Sequence, residues 1–209
     1  MTTTPASRIA RREASRGKKS RAPRMAPEDR RAALVEATIP LLLVHGSTVS
    51  TMNIAEAAGV AEGTIFRAFP DKDALVVACL AHVSSAQPFR ERLERVPVTT
   101  PLAERVLIAV NELGAFMDKA MPVVVAVSMH GGAPPASRSL RGKMNDDTLA
   151  ALEVYLRPAG DSLAVSVGEA ARLLYALVIG AVMQAGPGGT RPDPKLVTQA
   201  LVSGIGVHA

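Results

Sequence analysis

IAEAAGVAEGTIFRAFPDK, residues 54–72, reads as two helices barely two turns long, joined at Gly59 and closed by a Pro-Asp-Lys turn. Ser50 stands where it can cap the first of these helices, with Asn53 three residues on in place of the usual Glu of a capping box. Gly59 can take the left-handed conformation that a sharp turn demands. The small residues Ala55, Ala57 and Ala58 fall where the two helices would touch, so the pair can cross closely and steeply, as in a helix-turn-helix. Turning about 100° per residue from an inward Ile65 puts Phe69 inward, Gly63 and Arg67 outward, and Thr64 and Phe66 on the flanks. Gly63 would let a backbone approach closely, while Thr64 and Arg67 can reach base edges or phosphates. Such a face suits entry into a major groove.

The flanking sequence extends the unit. Residues 27–45, PEDRRAALVEATIPLLLVH, form a helix with Pro27 and the acidic pair Glu28 and Asp29 in its first turn and Gly46 as its stop. Pro40 inside it removes the bond to the Glu36 carbonyl, which predicts a kink. A third helix over 61–69 precedes Asp71, the expected cap of a fourth helix reaching toward Arg95.

Composition fits an all-α protein. Of 209 residues 48% are hydrophobic but only 3% aromatic, with no Trp, so the core is built from aliphatic side chains, as in packed helices. The one cysteine, Cys79, excludes an intrachain disulfide framework, suits a reducing compartment, and reads as an apolar filler. With no charged-apolar-small leader at the start, the expected location is the cytoplasm. The uncharged run 173–190 ends in QAGPGGT, which leaves too little apolar helix for a bilayer, so no membrane partner is expected.

Charge is placed unevenly. Residues 1–24 hold eight Lys or Arg against Glu13, a net of +7; since the whole chain carries +5, the remainder sums to −2. The arm lacks hydrophobic periodicity and reads as disordered when free, either a solvating tail or a segment that tracks a polyanion. His45, His82, His130 and His208 are scattered, and no HExxH, CxxC, Walker loop or GxSxG elbow occurs. No catalytic residue, metal site or cofactor is therefore assigned.

Taken together, STMNIAEAAGVAEGTIFRAFPDKDAL, residues 50–75, resembles the DNA-binding segment of the tetracycline-repressor (TetR) family. Ile54, Ala55, Ala58-Gly59-Val60, Gly63-Thr64-Ile65, Phe69 and Lys72 fall in register with it. The resemblance covers the first domain and implies a three-helix DNA-binding head, a larger helical body that binds a small molecule and dimerises, and release of operator DNA on ligand binding. It places Ser50 near a phosphate, Thr64 and Arg67 on the recognition helix, and Lys72 on a phosphate. Gly63 and Phe66 complete the expected DNA-binding set. Phe66 stands where the family usually has Tyr, Ala68 where His or Tyr is common, and Met52 where Arg is frequent. Each departure removes a polar contact that the basic arm is expected to replace.

The domain organisation expected is an arm over 1–24, the helix-turn-helix domain over 25–72, and a helical ligand-binding and dimerisation domain over 73–209. In the last, helices are expected from Pro101, over 146–156, 167–184 and 194–207, with a short apolar helix from Met121 whose valines are equally strand-like. GGAPPASRSLRG, residues 131–142, reads as a loop. The helix GEAARLLYALVIGAVMQ is apolar nearly all round and needs cover on several sides. The stripe Leu196, Val197, Ala200, Leu201 and Ile205 could supply it, and a homodimer through these last two helices is expected. Phe116, Met117, Met129, Tyr155 and Tyr175 are the large side chains available to line an effector pocket, though each reads more readily as plain core. The reading is a ligand-responsive transcriptional repressor released from its operator by a small apolar or amphipathic effector. The alternative is a sequence-blind binder of nucleic acid or anionic surfaces driven by the arm.

Overall fold

The computed structural model describes residues 26–129, 133–186 and 189–205, and among them the only extended secondary structure is helical. The nine α-helices are α1 Pro27–His45, α2 Thr51–Ala57, α3 Glu62–Ala68, α4 Lys72–Val83, α5 Gln87–Glu94, α6 Leu102–Met129, α7 Ala136–Leu156, α8 Val167–Ala185 and α9 Pro194–Ile205. The basic arm and His130 lie outside the described residues. α1 runs unbroken through Pro40, whose ring faces solvent, so the missing N–H falls on the helix's wet side.

Two apolar cores organise the chain. The head core gathers Leu34 and Leu42 from α1, Ile54 from α2, Ile65 from α3 and Leu75, Val76, Cys79 and Leu80 from α4. The body core collects Phe89 and Leu93 from α5 with Leu113 and Met117 from α6, Leu152 and Leu156 from α7, and Leu174 and Val178 from α8. Cys79 is fully buried; burial pushes its thiol up to about 12, opposed more weakly by hydrogen bonds, so it stays protonated and acts as packing.

α6 belongs to both cores. Its first half fills the body, whereas Val123, Val124 and Val127, beyond Pro122, enter the head core. The separate helix expected from Met121 is thus the end of one 28-residue helix. Burial against α1 and α4 overrides the strand preference of the valine run.

Two further stretches differ from expectation. The helix expected to reach from Asp71 toward Arg95 stops at Ser84, and α5 begins anew with Pro88 in its first turn, where a missing N–H does no harm. The loop expected over 131–142 becomes helical from Ala136, and α7 starts ten residues before Asp146. The stripe that holds it is nonlocal: Leu140 packs on the head core, and Met144, Thr148, Ala151 and Tyr155 are buried behind it. α9 is described as far as Ile205, and residues 206–209 lie outside the description.

Candidate nucleic-acid interface

The turn between α2 and α3 is fixed by backbone bonds. Gly59 has φ 65°, its N–H donates to the Glu56 carbonyl at 3.1 Å, and the Val60 N–H donates to the Ala55 carbonyl at 3.0 Å. These two bonds around a left-handed glycine make a Schellman cap and satisfy carbonyls that the end of α2 would otherwise leave open. Ala55 and Ala58 line the crossing as expected; Ala57 instead faces solvent.

Both ends of α3 are held from outside it. At its start the Thr51 hydroxyl donates to the Glu62 carboxylate. At its end the Arg31 guanidinium donates to the Ala68 carbonyl and lies over the Phe69 ring, 4.1 Å from the centroid. Arg31, Thr51 and Glu62 therefore aim α3, and sequence inspection overlooked them. Arg31 stands 37 residues from its partner, so no local pattern signals it.

The presented face matches the helical-wheel expectation. Ile65 and Phe69 are buried, Gly63 and Arg67 exposed, and Thr64 half-buried on the flank. A Cβ placed on Gly63 would meet nothing within 4 Å, so packing inside the chain does not demand glycine there. Phe66 is 51% exposed, an apolar ring beside a cation and a hydroxyl. Such a ring can meet a thymine methyl, a different use from the phenolic contact it lacks. Phe66, Arg67, Gly63 and Thr64 are thus brought onto one surface of one helix.

Ser50 and Lys72 carry structural duties too. The Ser50 oxygen accepts from the Asn53 N–H at 3.1 Å, and its hydroxyl donates to the Asn53 side-chain oxygen at 2.7 Å. Lys72 donates to the Ser47 carbonyl at 2.9 Å, tying the start of α4 to the short turn Gly46–Thr48, and two of its ammonium protons remain for other acceptors. Asp71 caps α4 by accepting from the Ala74 N–H at 2.7 Å.

In the body, Phe116, Met117 and Tyr155 share the body core, Tyr175 packs against it, and Met129 stands apart. Phe116 and Met117 are buried in α6, and Phe116 stacks on Phe89 with ring centroids 5.8 Å apart. Tyr155 is buried on α7 with its hydroxyl donating to the Arg105 carbonyl at 3.1 Å. Tyr175 is half-buried and donates to the Asn145 side chain at 2.6 Å, whereas Met129 at the end of α6 is 78% exposed. A cavity of about 320 Å³ lies among α6, α8 and the segment before α9, where Arg191 pairs with Asp118. Its lining draws on Val110, Asn111, Val178 and Val197.

Residues 34–79 match the family model described as bacterial regulatory proteins, tetR family. Among solved structures, the chain resembles a Pseudomonas aeruginosa PAO1 protein assigned as a transcriptional regulator, at 25% identity, TM-score 0.69, covering 87% of this chain and 92% of that one. It also resembles Escherichia coli NemR in its reduced form, at 24% identity and TM-score 0.69, covering 86% and 98%. A third likeness is to the Bacillus subtilis transcriptional regulator FadR in complex with stearoyl-CoA, at 13% identity and TM-score 0.61, covering 82% and 95%. The last two likenesses speak for the fold, and the match over α1 to α4 speaks for the head. The stretch from α1 to α4 thus matches the DNA-binding head of the tetR family of bacterial regulatory proteins.

Proposed function

We propose that the protein is a ligand-responsive repressor that binds operator DNA in the cytoplasm as a homodimer and leaves it when a small apolar or amphipathic effector enters the body. The observation that carries this reading is the course of α6, whose two halves sit in the body core and the head core. An effector that repacks the body can act on the head through that helix, because packed cores shift between discrete arrangements rather than deforming smoothly.

On the head, Arg67, Thr64, Gly63 and Phe66 meet base edges, while Lys72 and the N-terminal arm neutralise phosphates. Ser50 acts mainly by fixing the start of α2. The dimer forms through α8 and α9. Leu173, Ala176, Leu177 and Gly180 make an exposed stripe along α8, and Leu196 and Ala200 continue it on α9. α8 is the one described helix long and apolar enough to cross a membrane, yet its opposite side packs in the body core, and a second copy covers the outer stripe equally well. Paired heads would then meet half-sites about 34 Å apart or a multiple of it.

The test measures affinity for a selected operator and a random duplex across a salt series. Wild type should prefer the operator by at least about tenfold, and Arg67→Ala should lose that preference. Deleting residues 1–24 should weaken both duplexes and flatten the salt slope. Binding that follows the arm and ignores Arg67 would mark a sequence-blind polyanion binder instead. Leu177→Arg, on a surface exposed in the protomer, should yield folded monomers in sedimentation, and a dimer unaffected by it would place the interface elsewhere.

A further inference from the structure

Arg105, in the first turns of α6, is 2% exposed and is the largest fully buried side chain of the described residues. One terminal nitrogen donates to the Tyr155 carbonyl at 2.8 Å and the other to the Pro97 carbonyl at 2.7 Å, while the guanidinium lies 4.7 Å from the Tyr155 ring centroid. Its Nε–H is buried without a partner. The ion pairs among the described residues are Arg90 with Glu94, Arg92 with Glu112, Lys143 with Asp147 and Arg191 with Asp118, so none reaches Arg105. A buried cation normally has a counter-charge, because two neutral carbonyls offset only part of its lost hydration. Tyr155 does not supply one: burial raises its phenol to about 12, against the opposing pull of Arg105, so it stays neutral at physiological pH.

The same arginine lines a cavity of about 120 Å³ between α5 and α7, walled by Leu93, Val96, Val98, Val154 and Tyr155. The cavity shares Arg90, Ala151 and Val154 with a wider groove that runs along the two helices. The other cations along it, Arg90 and Lys143, already face their own carboxylates at 3.7 Å and 3.0 Å. The uncompensated charge of the whole groove is therefore that of Arg105.

We infer that this cavity is an effector subsite for a small apolar carboxylate, its anionic head accepting from the Arg105 Nε–H edge and its hydrocarbon part lying along Leu93, Val96 and Val154. One cation with one free donor edge suits a monoanion better than a phosphate, which calls for several donors. The cavity itself holds an apolar part of about a single ring or a short branched chain, since an engineered cavity of about 150 Å³ takes benzene, and the adjoining groove leaves room beyond it. The site deepens the effector-binding reading above and rests on it.

Calorimetric titration of the full-length protein with benzoate and with its neutral counterpart benzamide tests the assignment. Benzoate should bind at least tenfold more tightly, and Arg105→Met should abolish the difference. Because Arg105 also ties the Pro97 and Tyr155 carbonyls, R105M could simply fail to fold. Val154→Trp keeps the assignment testable: Val154 is 60% exposed on the groove rim, so the variant should fold, keep operator affinity, and block benzoate. No benzoate binding at millimolar concentration, equal binding of the two ligands, or benzoate binding undiminished in V154W overturns the site. Operator preference and its loss in Arg67→Ala are measured without any ligand, so silence toward benzoate leaves DNA recognition standing.

Discussion

In the head, the proposed contact groups sit on the surface and are steadied by neighbours: Arg67 projects from a helix whose ends are pinned by Thr51 and Arg31. In the body the most telling polar group, Arg105, is buried, and its partner Tyr155 is 50 residues away. The head presents exposed side chains from the short helices α2 and α3, over a core that is almost purely aliphatic. The body holds its chemistry inside, among long helices that leave cavities between them. Rigidity outside and accommodation inside are what a molecule needs if one part reads a fixed duplex and another admits a small solute.

The contrast can be broken most severely by matched truncations. Phe69→Ala in the head and Phe116→Ala in the body each remove a buried ring, at a cost of about 3–5 kcal/mol. Denaturant melts should shift comparably, yet only Phe69→Ala should abolish operator binding in protein that is still folded, because it unseats the end of α3. Equal loss of DNA affinity in both would mean that the two cores are not separable. Next in size is the joint between them. Pro122→Ala restores an N–H to the interior of α6 and should raise stability by up to about 3 kcal/mol. If the joint transmits effector binding, the stiffer helix should also blunt the effector's influence on operator affinity.

Smaller effects sharpen the picture. Gly59→Ala keeps the space around the turn open but places a Cβ at φ 65°, costing about 1–2 kcal/mol, and should weaken DNA binding more than heat stability. The slightest effect shows only in alkali. Cys79 rises from an ordinary 9.0, and Tyr155 from 10.0, each to about 12. Both groups keep their protons longer when folded than unfolded, so the stability they contribute is intact below the unfolded values and drains as pH climbs toward 12. A thermal-melt series should therefore begin to fall near pH 9, and Cys79→Ala should delay the onset toward pH 10, leaving the share that belongs to Tyr155 and to Tyr175, which burial also raises.

The head was legible from sequence because its determinants are local. Ser50, Gly59, Ile65, Phe69 and Asp71 lie within 22 residues, and cap, turn and inward faces all follow from helical spacing. The body was less so, since its boundaries depend on distant cover. Val123, Val124 and Val127 look like a strand until α1 and α4 are seen to bury them, and Leu140 and Met144 extend α7 through a stretch rich in Gly, Pro and Ser. Arg105 passes for an ordinary charged residue of a first helical turn; nothing near it in sequence says that Pro97 and Tyr155 close over it. The aim of α3 was hidden for the same reason.

The course of α6 has a consequence for how the molecule breathes. Three of its valines are shared property of the head core, so the head cannot open fully without loosening the far end of a helix rooted in the body. Amide hydrogens of α1 and α4 should then exchange with solvent at rates set partly by events among α5 to α8. A solute that binds only the folded body would slow that exchange in proportion to its occupancy, and the DNA-reading end would register its arrival as added protection before any operator is present.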